Sequence, residues 1–154
     1  MRLIRTSQNK LIFRLGKREK QALNAVLKLY PRIPSAHQPL SRTAKLPNQE
    51  AAQRLLNEAL AEQRAENKKQ VRAFLADPKR FAEDERGWFL KLSLMDIEWL
   101  LQILNDIRVG SWVILGEPKE KNEELNATTA PHIWAMEASG YFQMGLLEAL
   151  GKGT

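Results

Sequence analysis

Apolar residues alternate with polar ones in two short runs at the start of the chain. The first run covers residues 3–6, and in the second run Leu11, Phe13 and Leu15 stand at every second position. Every second side chain of a strand lies on the same face, so this run predicts a strand with one buried face. The polar segment 7–10 has the length of a hairpin loop, and the pattern therefore predicts an antiparallel hairpin.

Apolar residues then recur at spacings of three and four between Lys17 and Tyr30, which predicts an amphipathic helix. Pro31 ends it, because proline removes a backbone hydrogen bond and clashes with the preceding turn. The following segment, residues 31–47, contains four prolines and no periodic apolar face. It therefore predicts an irregular, proline-rich connection.

A longer helix is predicted from an N-cap at Asn48 to about Ala76. Asp77-Pro78 stops it, because the residue before a proline disfavours the helical conformation. The middle of this helix is polar, with Gln63 and Asn67 on the same stripe as its apolar residues. Two arrangements fit that stripe: the middle either projects beyond the core or packs on another element through a polar seam.

Apolar residues stand at every second position of segment 88–92, beginning with Trp88, and this predicts a third strand. Ser93 followed by Asp96 resembles a capping box with the acid in the N3 place, which predicts the start of a helix. An isolated hairpin is marginally stable in water, so we expect this strand to join the N-terminal hairpin in a small antiparallel sheet.

The two most apolar helical patterns cover residues 94–115 and about 130–150, with Gly151 as the expected C-cap of the second. The polar segment 117–129 between them predicts a mobile loop. These patterns together predict an α+β fold that is mainly helical, with three or four helices packed on the small antiparallel sheet.

The chain has 154 residues and no cysteine. That length is typical of one domain, so we expect residues 1–154 to share a single core. The absence of cysteine excludes a disulfide framework and thiolate metal sites, and it fits a reducing cytosol. No segment has the apolar run that a membrane span requires, and polar residues interrupt the stretch where a signal peptide would be apolar. We therefore expect a cytoplasmic protein with no membrane partner.

The net charge of +6 divides unevenly along the chain. Residues 1–47 hold 11 basic side chains and one acidic side chain, Glu19, whereas the remainder holds 13 basic and 17 acidic ones. Such asymmetry indicates what the chain attracts rather than how it folds. Two interpretations stay open: the basic third is attracted to the acidic body of the same domain, or it meets an external acidic partner.

Two C-terminal segments carry a resemblance to a known family. Trp99-Leu100, Leu104-Asn105-Asp106-Ile107-Arg108 and Leu115-Gly116 resemble the Trp-Leu, Leu-Asn-Asp-x-Arg and Leu-Gly pattern of the bacterial domain-of-unknown-function family two thousand and seventeen. Segment 142–150 is similar to that family's closing Leu-Gln-x-x-Leu-Leu-x-Ala-Leu helix. The resemblance covers mainly residues 98–150.

The chain departs from the family pattern at Ser111 and Trp112, which stand where an aliphatic residue and a glycine are expected. Close packing at that point of the helix must therefore differ. The resemblance implies a helix-rich bacterial protein with no established activity. Some members of the family are labelled regulators, and the family is associated with gene neighbourhoods of the ClpS-type protease adaptor.

Arg108 is the most unusual residue of the predicted helix 94–115. At 100° per residue it falls within the apolar arc, near Ile97 and Leu101, where an unpaired charge is costly. Glu137 lies on a matching stripe of the last helix and is the first candidate for an ion-pair partner, with Asn105 placed to orient the pair. The alternative is that Arg108 contacts a ligand or another protein.

No motif predicts catalysis, a cofactor or a metal ion. His37 and His132 lie 95 residues apart without a His-Glu-x-x-His spacing, and we expect both at the surface. The acidic run 83–85 lacks the alternation of a calcium loop and predicts a solvated turn. Gly140 and Gly145 cost helix stability and indicate close helix contact.

These observations predict a non-enzymatic protein that binds another protein through exposed helical surface, with an adaptor-like, regulatory role. The alternative is a nucleic-acid-associated regulator that uses the basic third without sequence specificity, since no recognition helix or aromatic-rich sheet is predicted. Its candidate phosphate contacts are Arg2, Arg5, Arg14, Lys17 and Arg18.

Overall fold

The computed structural model describes residues 1–33, 48–119 and 125–152. Within these ranges the chain has an α+β fold that is mainly helical. Its elements are β1 (Arg2–Ser7), β2 (Lys10–Leu15), α1 (Lys17–Leu27), α2 (Gln49–Ala76), β3 (Phe81–Asp84), β4 (Gly87–Ser93), α3 (Leu94–Ile114) and α4 (Ala130–Lys152). Most of the predicted proline-rich connection and part of the predicted loop 117–129 lie outside the described residues.

The predicted N-terminal hairpin is confirmed, with β1 and β2 paired antiparallel. Its loop is shorter than predicted, because Ser7 and Lys10 already pair across the strands. Gln8 and Asn9 make the turn alone, and both have positive φ angles, 39° and 69°. Two-residue turns of this kind match the natural twist of the flanking strands, and asparagine tolerates the left-handed conformation well.

The sheet has four antiparallel strands in the order β1-β2-β4-β3, one more than the sequence predicts. The additional strand, β3, contains Glu83 and Asp84, so most of the acidic run is a strand and the prediction of a turn there was wrong. The turn itself is Glu85-Arg86. A four-residue strand with Phe81 as its only buried side chain shows too little alternation to be recognised.

One face of the sheet is buried and the other is open. Leu11, Phe13 and Leu15 are buried as their alternation predicts, and Leu90 and Leu92 of β4 lie beside them. Helices α1, α3 and α4 cover this inner face. In the described ranges, no helix has both the length and the apolar character needed to cross a bilayer.

Helix α2 contacts the core only through its C-terminal half. Val71 and Phe74 are its buried residues. One turn earlier, the Asn67 side chain donates to the Tyr30 hydroxyl at 3.1 Å and accepts from the Trp99 indole at 3.3 Å. This is the polar seam that the stripe allowed, whereas residues nearer the N-terminus of α2, such as Leu55 at 67% exposure, lie mostly at the surface.

Of two further predicted helix caps, the position of Asn48 is confirmed and the C-cap at Gly151 was wrong. Asn48 is the N-cap of α2, as predicted, and its carbonyl accepts from the Ala52 backbone N–H at 3.0 Å. Its backbone is left-handed (φ 66°), and its side chain makes no capping hydrogen bond. Gly151 lies inside α4 rather than after it, since the helical hydrogen bonding continues to Lys152. The C-terminal ends of α1 and α2, which were predicted from Pro31 and from Asp77-Pro78, agree with the structure to within three residues.

The capping box at the start of α3 is confirmed. The Ser93 hydroxyl accepts from the Asp96 backbone N–H at 3.0 Å, and the Asp96 carboxylate accepts from the Ser93 backbone N–H at 2.8 Å and from Arg80 at 2.7 Å. We expect Ser93→Ala to lower the free energy of unfolding by about 1 kcal/mol, because one N-terminal amide loses its acceptor. Urea denaturation measures this loss. An exposed serine of β1 provides the control, Ser7→Ala, and an equal loss in both variants would contradict the role of the cap.

Candidate functional site

An apolar groove of about 950 Å³ lies between the C-terminal half of α3 and the N-terminal half of α4. Val109 and Trp112 line it from α3, Leu115 lines it directly after that helix, and Ile133 and Met136 line it from α4. Helix α3 presents these residues because its opposite stripe, which runs from Ile97 to Ser111, is buried against the rest of the core. The groove is therefore a by-product of packing two apolar helices that each have more apolar surface than one contact covers.

The predicted ion pair between Arg108 and Glu137 does not form in this structure. Both residues are exposed and lie along the groove. Arg108 donates to the Asn105 side-chain oxygen at 3.2 Å, and in the described part of the chain no carboxylate oxygen lies within 4.0 Å of it. The buried face of α3 is rotated towards Ile103, which leaves Arg108 at its edge, in solvent.

Helix α4 has a second apolar feature on its solvent side. Trp134, Tyr141, Met144 and Leu147 are 41%, 53%, 63% and 56% exposed and recur at helical spacings. The Tyr141 hydroxyl is tied down, donating to the Glu19 carboxylate at 2.6 Å. Helix α4 thus carries apolar side chains on nearly every side, a pattern typical of helices that are covered by another element.

A polar cluster lies beside the groove, where residues 30–33 cross α3. The Asp106 carboxylate accepts from the backbone N–H groups of Arg32 at 2.7 Å and Ile33 at 3.3 Å. The Arg32 guanidinium donates to the Ser111 hydroxyl at 3.5 Å and to Nδ1 of His132 at 2.6 Å. His132 is therefore a half-buried anchor for α4 and not the surface residue that the sequence predicts.

The chemistry of this cluster is structural. Arg32 lies between Ser111 and His132, so the hydroxyl has no imidazole to take its proton. Burial lowers the pKa of Arg32, and burial also raises the pKa of Asp106 against the opposing effect of its two backbone hydrogen bonds. The four side chains hold the connection after α1 against α3 and α4.

The five predicted phosphate contacts do not form one surface. Arg2, Arg5 and Arg14 point out from the open face of the sheet, whereas Lys17 and Arg18 are exposed in the first turn of α1. These five are the phosphate contacts that the sequence suggests.

Lys20, in the same basic third, is buried. Its ammonium group lies 4.1 Å from the ring centroid of Phe81 and 5.0 Å from that of Trp88, and burial lowers its pKa. It is 8% exposed and therefore adds little to the charge of the surface.

Arg14 forms a two-pronged ion pair with Asp84, with N–O distances of 2.7 and 2.8 Å. The hydrogen bonds from Arg14 lower the pKa of the Asp84 carboxyl from 3.8 to about 2. A depressed carboxyl pKa stabilises the fold above the ordinary value, and that contribution is lost as the pH falls from 3.8 through about 2. We expect Asp84→Asn to flatten the decline in stability across this window.

The measurement for Asp84→Asn is urea denaturation at a series of pH values. Glu83→Gln, an exposed neighbour in the same strand, is the matched control and should keep the wild-type slope. Parallel curves for wild type and Asp84→Asn would show that the ion pair has no linkage to folding.

In the ranges that the structure covers, no three His, Asp or Glu side chains are grouped so that they could hold a metal ion. Comparison of the chain with protein-family models, with curated proteins and with solved structures finds no match.

Proposed function

We propose that the protein is a non-enzymatic, adaptor-like regulatory protein of the cytoplasm that binds an amphipathic helix of another protein in the groove between α3 and α4. The observation that carries this proposal is the apolar groove with Arg108 on its edge, an arginine that has no carboxylate partner among the described residues. Apolar concavities of this kind are the usual receptors for a helix with apolar residues at i, i+3 or i+4, and i+7.

The lining of the groove suits such a helix. Trp112 lines the groove from α3 and Met136 lines it from α4, and tryptophan is one of the residue types enriched among strong contacts in protein interfaces. Methionine adapts its shape to different apolar partners. The volume of about 950 Å³ is near the upper end of small-molecule pockets, and the lining is mainly apolar, which suits a row of apolar side chains.

The charges around the groove indicate the orientation of the partner. Arg108 and Lys119 lie on the α3 side, and Glu137 lies on the α4 side. A helix with an acidic residue on one flank and a basic residue on the other complements both edges in one orientation. Since Arg108 has no carboxylate partner among the described residues, an acidic side chain of the partner would give it one.

Peptide selection tests this proposal and requires no candidate partner protein. A displayed library of helical peptides is selected on the immobilised full chain, and the selected peptides are synthesised for fluorescence-anisotropy titration. We expect apolar residues at helical spacing with an acidic residue on one flank. We expect Met136→Asp to weaken binding by roughly thirtyfold or more, since it places a charge at the centre of an apolar contact.

A matched control lies on the same helix. Met144 is 63% exposed and does not line the groove, so Met144→Asp should leave peptide binding unchanged. Arg108→Glu should weaken binding of the acidic peptides and spare variants in which the acid is replaced by lysine. Equal binding to wild type and Met136→Asp would overturn the proposal.

The oligomeric state is an independent check. If a second copy of the chain filled the groove, wild type would sediment as a dimer and Met136→Asp as a monomer. That result would replace the partner helix with self-association. We expect both proteins to sediment as monomers.

A further inference from the structure

The outer face of the sheet has a composition unlike the rest of the surface. Strand register places outward, in the described part of the chain, the cations Arg2, Arg5, Lys10, Arg14 and Lys91 against a single carboxylate, Asp84. Ile12 and Phe89 lie between them on the same face. This face is directed away from the helices and from the groove between α3 and α4.

A β-bulge concentrates the charge. Arg2 and Arg5 are three positions apart, and in a regular strand they would point to opposite faces. The register shifts between Leu3 and Arg5, so that Arg2 pairs with Arg14 while Arg5 pairs with Ile12, and both arginines point outward. The strand thus departs from regular geometry in the way that brings a second cation to the open face.

Arg14 provides a flat, fixed platform at the centre of this face. Its guanidinium lies 4.1 Å from the Phe89 ring centroid, and the Asp84 carboxylate holds it in the bidentate ion pair. One face of the guanidinium is on Phe89 and its edge is held by Asp84, while 22% of the Arg14 side chain remains exposed. We infer that the exposed part includes the face opposite Phe89. Planar guanidinium groups and aromatic rings are the surfaces on which unpaired bases stack.

Four other cations surround this platform without acidic partners in the described residues: Arg2, Arg5, Lys10 and Lys91. Neighbouring strands are about 4.8 Å apart, and successive outward residues of one strand are about 6.8 Å apart. These cations are therefore spaced so that successive phosphates of an extended, flexible strand can each contact one of them.

We propose that the outer face of the sheet binds single-stranded nucleic acid, with a base stacked on Arg14 and phosphates on the four surrounding cations. The bases of a duplex are already paired and stacked on one another, so they cannot stack on Arg14. An acidic peptide would use the cations but would gain nothing from the Arg14–Phe89 stack. This site is independent of the groove proposed above, so either proposal can fail alone.

Fluorescence anisotropy with labelled oligo(U) and oligo(dT) tests the proposal on the full chain. We expect both probes to bind at low salt, and the logarithm of the binding constant to fall with the logarithm of salt concentration with a slope of about −3, from four phosphates at about −0.7 each. The difference between the two probes reports whether the sugar is read. No binding of either probe at low salt would overturn the proposal.

Charge-reversal variants locate the site. The double variant Arg5→Glu with Lys91→Glu should weaken binding by at least tenfold and reduce the salt slope. Lys69→Glu with Lys79→Glu changes the net charge equally at exposed positions outside the sheet, and it should change binding less than threefold. Equal losses in the two variants would show a general effect of net charge and overturn the assignment of this face.

Arg14→Lys separates stacking from charge. The substitution keeps the positive charge but removes the planar group, so we expect affinity to fall roughly tenfold while the salt slope stays unchanged. Unlabelled duplex and polyglutamate serve as competitors. If either displaced oligo(U) as well as unlabelled oligo(U) does, the face would be a general polyanion surface and the stacking role would be wrong.

Discussion

Replacing Phe13 by alanine is expected to lower the free energy of unfolding by about 3–5 kcal/mol. Phe13 is 0% exposed and lies at the centre of the inner face of the sheet, paired with Leu3 on one side and Leu90 on the other. Alanine would remove most of an aromatic ring from a close-packed core and leave a cavity there. Urea denaturation followed by circular dichroism measures the loss.

The neighbouring position supplies the control for Phe13→Ala. Ile12 lies on the outer face of the same strand and is only partly buried, so Ile12→Ala should cost less than about 1.5 kcal/mol. Both variants change strand propensity in a similar way, and the difference between them isolates burial. Equal losses at the two positions would mean that the assignment of inner and outer faces is wrong.

The second large effect is expected at Gly110, in the middle of α3. A Cβ atom at this position would lie 2.6 Å from both the backbone oxygen and the Cβ of Arg32, which belong to the segment that crosses the helix. Backbone atoms cannot swing aside as a side chain can, so Gly110→Ala should lower the free energy of unfolding by about 3 kcal/mol. The loss is expected despite the better helix propensity of alanine.

Gly140 is the matched control for Gly110→Ala. It also lies within a helix, but a Cβ atom there would meet no other atom within 4 Å. Gly140→Ala should therefore raise the free energy of unfolding by about 1 kcal/mol through helix propensity alone. Opposite signs for the two substitutions are the expected result in thermal and urea denaturation, and a loss in both would contradict the crossing at Gly110.

Close helix contact was predicted at both Gly140 and Gly145 of α4, and the structure shows a close neighbour only at Gly145. Gly140 has open space, and Gly145 faces the end of the flexible Met1 side chain. The close backbone contact is at Gly110 of α3 instead. A sequence shows that a glycine is present, but which segment crosses it depends on tertiary contacts.

The patterns of strong periodicity predicted most of the fold. The hairpin, the strand at residues 88–92 and the long apolar helices all follow from alternation or from spacings of three and four. Strand β3 escaped prediction because a short edge strand with one buried residue has no pattern to read. The N-cap position of Asn48 was predictable from residue type, but its left-handed backbone and missing side-chain hydrogen bond were not, because residue type does not determine backbone conformation.

The candidate sites were less predictable because they depend on how each helix is oriented about its own axis. The helical wheel placed Arg108 within the apolar face of α3. In the structure Arg108 lies at the edge of the buried face and is exposed to solvent. The roles of Asp106 and His132 could not be foreseen, since both contact Arg32, far away in the sequence. Only the concentration of arginine and lysine in the first third gave a signal for the open sheet face.

The groove between α3 and α4 is the central feature of the proposed function, and a tryptophan reports on it directly. The Trp112 indole lines the groove and donates to the Pro118 carbonyl at 3.0 Å, whereas the Trp99 indole is bonded to Asn67 beside α2. Each tryptophan gives one indole N–H signal in a ¹⁵N-labelled sample. Titration with a selected helical peptide should therefore shift the Trp112 signal and leave the Trp99 signal in place. A peptide that binds while the Trp112 signal stays unchanged would show that the groove is not the binding site.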